Sequence, residues 1–146
     1  MIRNLKILFP FIIAFCFNQA VAGTVANYNR NLIQDVYVFT DDSASEACWT
    51  NLKNSREYAE EKLRSKGIKT RSEAGAEYIL KIDVLAFRDG TGWCVGTIQI
   101  SLETLALVDT TMPVSAIVGK RRTIVQVKDN LNNDVLDMIS KLVSDL

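Results

Sequence analysis

The sequence predicts an α+β domain: a mainly antiparallel sheet of four to five strands with two helices packed on one face, in the order β-α-β-β-β-β-α. Three observations carry that expectation. Between Tyr78 and Phe87 the even positions Leu80, Ile82, Val84 and Ala86 are all apolar, while the odd set contains Lys81 and Asp83. Past a turn at Arg88-Asp89-Gly90-Thr91-Gly92, the alternation resumes with Cys94, Gly96, Ile98, Ile100 and Leu102 on one face and Thr97, Gln99, Ser101 and Glu103 on the other. Period two marks half-buried strands, so the two runs form a hairpin lying on a core. The third observation is helical spacing on either side of this hairpin, at Leu52, Ser55, Ala59, Leu63 and again at Leu131, Val135, Met138, Ile139, Leu142. Helices before and after a run of strands define an α+β sandwich.

In chain order, Arg3 and Lys6 precede an apolar run from Ile7 to Phe17, and Ala20-Val21-Ala22 supplies small residues for a signal peptidase. This pattern is that of a secretory signal peptide cleaved near Ala22-Gly23. The run is shorter than the ~20 residues that span a bilayer. The bulky Phe15 before Cys16 argues against lipidation there. Cleavage leaves a single domain, 23–146, of about 124 residues, enough for a core of its own. Gly23 to Asn31 is polar, and no later stretch is apolar enough to cross a membrane.

Leu32 to Thr40 reads as a strand, apolar on both faces at Val36, Tyr37, Val38 and Phe39, ending at Asp41-Asp42. Ser43-Ala44-Ser45-Glu46 matches a capping box, predicting a helix from there to about Lys66, stopped by Gly67. Its stripe is Cys48, Leu52, Ser55, Ala59 and Leu63, and its charged face holds the i,i+4 pairs Arg56/Glu60 and Glu60/Arg64. Ile68 to Arg71 forms a short strand. Beyond Glu103 the apolar residues switch to Leu105 and Leu107, which points to a bulge or a second buried patch. Asp109 to Pro113 is a turn, with Pro113 at a strand start or edge. Val114, Ala116 and Val118 form the next strand, ending at Gly119; Lys120-Arg121-Arg122 reads as a solvated turn, and Thr123 to Val127 fits either a strand or a helix start. A helix from Asp129 closes the chain.

Two cysteines remain after cleavage, Cys48 and Cys94. In an exported chain an even, widely separated pair reads as a disulfide. Cys48 on a helical stripe and Cys94 on the inward strand face make the bond a pin between the first helix turn and the sheet.

The chain contains no histidine. That removes the commonest general base and metal ligand, and every nucleophile–histidine dyad. Bonded cysteines leave no thiolate, so neither a catalytic residue, a metal site nor a cofactor is expected. Without the signal the balance is about −2, which does not suggest nucleic acid as a partner. Asp41 and Asp42 could bind a cation or partner, against a turn role beside a helix N-terminus. Lys81 and Asp83 could form a site if the polar hairpin face is open, against a cross-strand ion pair. Gly90-Thr91-Gly92 lacks a following helix, so it is no phosphate loop. Trp49 and Trp93 each adjoin a disulfide cysteine: they either pack around the bond or expose an aromatic anchor for a protein partner.

At Ala74-Gly75-Ala76-Glu77-Tyr78-Ile79-Leu80 the chain resembles small bacterial envelope domains. These occur at the amino terminus of the translocation protein TolB, in the curli secretion lipoprotein and in lipoprotein activators of penicillin-binding proteins. In that group a similar stretch opens the strand after the first helix, and an amphipathic helix closes the domain. The resemblance implies a non-catalytic, periplasmic protein-interaction module in the envelope and carries over no functional residues. Two alternatives stand beside it: a periplasmic inhibitor or immunity-type protein, for which Asp41-Asp42 would be the acidic plug, and a histidine-free carboxylate hydrolase centred on Asp83.

Overall fold

The computed structural model of the protein describes residues 33–72, 75–108 and 112–146. The expected signal peptide with Cys16, the polar segment after it, and residues 109–111 of the expected turn lie outside the described residues. Seven elements follow in order: β1 (Asp35–Ala44), α1 (Leu52–Ser65), β2 (Lys69–Thr70), β3 (Tyr78–Arg88), β4 (Cys94–Val108), β5 (Met112–Val127) and α2 (Asn132–Ser144). This is the expected β-α-β-β-β-β-α order. The strands form one sheet in the order β2-β1-β3-β4-β5.

The sheet is mixed. The β3–β4 and β4–β5 pairs are antiparallel, but β1 runs parallel to both β2 and β3. The reason lies in the connection. α1 carries the chain back to the end of the sheet where β1 began, and a return of that kind makes the next strand parallel. Strand direction depends on this long-range path and leaves no mark in the alternation of β1 itself.

The hairpin is paired as its alternation requires, from Tyr78↔Thr104 to Arg88↔Cys94. Leu80, Ile82, Val84, Ala86, Cys94, Ile98, Ile100 and Leu102 are all buried on one face. Ser55, Ala59 and Leu63 of α1, and Val135, Met138, Ile139, Leu142 and Val143 of α2, close over them. Both helices therefore lie on the inner face, packed against each other and the sheet. Gly67, at φ +80°, ends α1 as a left-handed residue past the C-cap, where a side chain would be strained. The charged side of α1 carries the Arg56–Glu60 pair at 3.2 Å and the Arg64–Glu60 pair at 3.7 Å.

Three local expectations are corrected. β1 does not end at Thr40: its ladder with β3 continues through Asp41↔Asp83 and Asp42↔Val84 to Ala44↔Ala86. Consequently Ser43-Ala44-Ser45-Glu46 is not a capping box. Ser43 and Ala44 belong to the strand, and the Ser45 N–H donates to Ala86 O at 2.9 Å. Glu46 and Ala47 then take positive φ of 53° and 58°, turning the chain so that Cys48 comes beneath Cys94. α1 starts only at Leu52, with Asn51 as N-cap and no side-chain cap hydrogen bond. Sheet pairing, with several backbone hydrogen bonds at stake, outcompetes one reciprocal cap. Lastly, Lys120-Arg121-Arg122 is not a turn. β5 runs unbroken to Val127, placing Lys120 and Arg122 on the outer face and Arg121 on the inner one, where it pairs with Asp145 after α2.

The bulge expected after Glu103 is present on the β4–β5 ladder. Leu102 pairs Gly119 while Glu103 pairs Ile117, which leaves Val118 extra. Leu105 is exposed and so belongs to no second buried patch. Met112 and Pro113 belong to β5 rather than to the preceding turn, and Pro113 sits near the start of this edge strand, a position where proline is tolerated.

Candidate functional site

Two regions hold the residues that the sequence singles out: the end of the sheet around the disulfide, and the outer sheet face. The Cys48–Cys94 bond forms, with both residues fully buried. Cys48 lies in the loop ahead of α1 rather than on its first turn, so the bond fastens that loop to β4. The Cys48 carbonyl accepts the Leu131 N–H at 2.7 Å, and Thr50 and Asn132 exchange hydrogen bonds of 3.0 and 3.1 Å, which joins the starts of both helices.

Arg88 completes this end. Its guanidinium donates to the carbonyls of Glu46, Gly92, Lys128 and Asp129, the shortest being Gly92 at 2.7 Å and Asp129 at 2.9 Å. One side chain thus clasps the loop before α1, the hairpin turn and the loop before α2. The sequence marks Arg88 only as a turn residue, because its four acceptors are backbone groups and three of them are 40 or more residues away in the chain. Asp89 orders the turn beside it, accepting from the Thr91 hydroxyl at 2.7 Å and from the Thr91 and Trp93 N–H groups at 2.9 Å. The Thr91 hydroxyl, followed by these amides, holds the Asp89 carboxyl below its usual range.

The two tryptophans part company. Trp49 is in the core, its indole N–H directed at Ser55 Oγ at 3.4 Å. Trp93 remains partly exposed in the turn. Asp41 and Asp42 share a strand and point to opposite faces, so they do not act as a pair or form an acidic loop. Asp42 accepts the Ala44 N–H at 2.9 Å on the inner side. Asp41 faces outward with Asp83.

On the outer face, no described element covers β1, β3, β4 and β5, and the registers set its residues in rows. Tyr37, Ile79, Glu103 and Ile117 form one row; Phe39, Lys81, Ser101 and Lys120 the next; then Asp41, Asp83, Gln99 and Arg122; then Ser43, Leu85, Thr97 and Ile124. A polar band therefore crosses the strands between two apolar zones. In the band, Lys81 Nζ lies 3.0 Å from Asp83 and 3.6 Å from Asp41. The Asp83 hydrogen bond, aided by both carboxylate charges, raises the Lys81 pKa above its ordinary value. At the β5 end Lys120 and Arg122 form no ion pair among the described residues. The band is thus acidic toward β1 and basic at β5.

The apolar zones are wide open. Leu85 is 62% exposed, Phe87 56%, Leu105 74%, Ile117 55% and Ile124 80%, with Phe39 and Ile79 close to 40%. Of the large exposed apolar side chains described, only Trp93 lies off this face. A depression of about 550 Å³ is lined by Tyr37, Phe39, Ile79, Lys81, Glu103 and Leu105. A second, of about 360 Å³, is walled by Leu85, Phe87, Val95, Thr97 and Ile124. Sequence alternation concealed this patch: apolar residues at odd positions of β1 read as a central strand buried on both sides, whereas Phe39 is exposed and Tyr37 is half-buried with the Arg56 guanidinium of α1 over its ring, 5.3 Å from the centroid. Asp83 sits on this open surface and not in an enclosing pocket.

No protein-family model matches the sequence, and no curated protein matches it. Among solved structures, the chain is similar to a PelC dodecamer from Paraburkholderia phytofirmans at 19% identity, covering 77% of this chain and 88% of that one, with a TM-score of 0.47. A variant PelC dodecamer from the same organism gives 17% identity, 77% and 87% coverage, and a TM-score of 0.44. No described helix is long and apolar enough to cross a membrane.

Proposed function

We propose that the chain is an exported, non-catalytic protein-binding module of the bacterial envelope, and that it docks through the outer face of its sheet. The observation that carries this reading is the concentration of Phe39, Ile79, Leu85, Phe87, Leu105, Ile117 and Ile124 on one face that no described element covers. Two open apolar zones on either side of a charged band offer a protein partner area to bury and charge to match, and leaving them in water lowers solubility. The amino-terminal pattern of a signal peptide and the resemblance of Ala74 to Leu80 to envelope domains support the location. No nucleic acid, cofactor or metal has a part in this reading.

Site-specific photocrosslinking in cells tests it. A photoreactive residue at Leu85 or Ile124 yields a discrete protein adduct, and one at Lys53, exposed on the opposite side in α1, yields none. Absence of adducts from the sheet face, or equal labelling from both positions, overturns the reading.

A further inference from the structure

The charge pattern of the outer face identifies what can lie on it. We infer that its occupant is a second copy of this chain, packed sheet on sheet about a two-fold axis parallel to the strands. This rests on the docking reading above and names the partner. A two-fold along the strands exchanges the two sides of the sheet and leaves position along the strands unchanged. β5 of one copy then lies over β1 of the other, and β4 over β3. Arg122 meets the partner copy at Asp41, Gln99 meets it at Asp83, and Lys120 meets it at Phe39, where a cation over an aromatic face is favourable. At one end Tyr37 falls against Ile117, and Glu103, already held by the Ser101 and Ser115 hydroxyls, against Ile79; at the other Phe87 falls against Val95, Leu85 against Thr97 and Ile124 against Ser43. Each acidic side faces a basic side twice over, as an isologous interface demands.

The other face-to-face two-fold, across the strands, is excluded by the same residues. It lays β5 on β5, placing Lys120 and Arg122 against their own copies and Asp41 and Asp83 against theirs, a like-charge arrangement that suppresses association. Unpaired Lys120 and Arg122 are the feature that distinguishes the two. The centre of the band needs no partner for its charge, since Lys81 is already held between Asp83 and Asp41.

Size is adequate. Four strands at ~4.8 Å spacing and ~30 Å of shared length project roughly 600 Å², or about 800 Å² of accessible surface per copy. That matches the standard protein–protein interface of ~800 Å² per partner. Aligned packing of two twisted sheets at about −30° gives a ten-stranded sandwich with the helices outside.

Sedimentation equilibrium and light scattering on the oxidised mature chain, up to ~100 μM, test this with two charge-reversed variants. The unmodified chain is expected to dimerise. Lys120→Glu/Arg122→Glu makes both sides acidic and Asp41→Lys/Asp83→Lys makes both basic, so each alone associates at least tenfold more weakly. Mixing the two restores a one-to-one heterodimer, because every contact again pairs opposite charges. Should the lysine variant fail to fold by circular dichroism, Leu85→Ser/Ile124→Ser, at exposed positions, must still abolish the dimer. A monomeric unmodified chain at the highest concentration, a dimer indifferent to both reversals, or folded variants that do not associate when mixed would each overturn the inference. The Leu85 photocrosslink separates this failure from that of the docking reading. An adduct with a different protein in cells, alongside a monomeric purified chain, leaves docking standing and removes only the second copy; no adduct of any kind removes both.

Discussion

Replacing both bonded cysteines, Cys48→Ala/Cys94→Ala, tests how much of the fold depends on closing one loop. The bond joins residues 46 apart and encloses α1, β2 and β3. In the chain-entropy account, freeing a loop of that length returns about 4 kcal/mol of conformational freedom to the unfolded state. Both sulfur atoms are fully buried, so their loss also leaves small voids worth about 1 kcal/mol. What remains at this end is the 2.7 Å Leu131–Cys48 hydrogen bond and the Arg88 clasp, which hold the loop only in the folded state. The expected loss is therefore ~4–5 kcal/mol, a large part of the 5–15 kcal/mol of a typical domain. Urea unfolding followed by tryptophan fluorescence reads it, together with a fall of the melting temperature by roughly 15 °C. The m-value must rise as well, since an unlinked denatured chain exposes more surface. A stability change under ~1 kcal/mol, or a large one at constant m-value, would refute the argument that the bond acts mainly on the unfolded chain.

Further outcomes follow from single residues. Gly96→Ala sets a Cβ 2.2 Å from Leu85 O and 2.6 Å from Ala86, so the hairpin strands must part; a loss of about 3 kcal/mol or failure to fold is expected in chemical denaturation. Arg88→Ala removes the charged donor from four carbonyls and should cost ~1–3 kcal/mol, with faster amide exchange in the loops before α1 and α2 and in the hairpin turn together. Ala47→Gly, at φ 58°, relieves left-handed strain and should leave stability unchanged or raise it by up to ~1 kcal/mol, as thermal melts can show; a clear loss contradicts the strain argument. Asp89 is expected to titrate below the ordinary aspartate value of 3.8 by NMR, because the turn donors favour its carboxylate. Its contribution is present above that value and lost as pH falls through the folded pKa, so wild type and Asp89→Asn converge in stability in acid. For Lys81 the sign reverses: its raised pKa gives a contribution present below 10.5 and lost as pH rises through the folded value, a difference from Lys81→Met that disappears in strong alkali.

What the sequence determined by itself are the features with a local period or a small choice of partners. The hairpin's inward face, the buried stripes of α1 and α2, the stop at Gly67, the bulge near Glu103 and the pairing of the only two cysteines beyond the signal pattern were all legible in this way. Only tertiary structure decided matters in which distant groups compete. Ser43 and Ala44 carry a good capping signal, yet β3 offers them a ladder, and the ladder prevails. Lys120-Arg121-Arg122 has turn-like polarity, yet β4 is long enough to keep all three in a strand. Arg88 acts through carbonyls 4 to 42 residues away, which side-chain patterns do not encode. The outer face shows the limit most plainly. Alternation tells which residues point together and not whether anything lies on top of them, so Tyr37, Phe39, Leu85 and Ile124 read as core or as surface until the layers are counted. Burial is a property of the whole fold: both helices settle on one side of the sheet, and among the described residues the other side stays open.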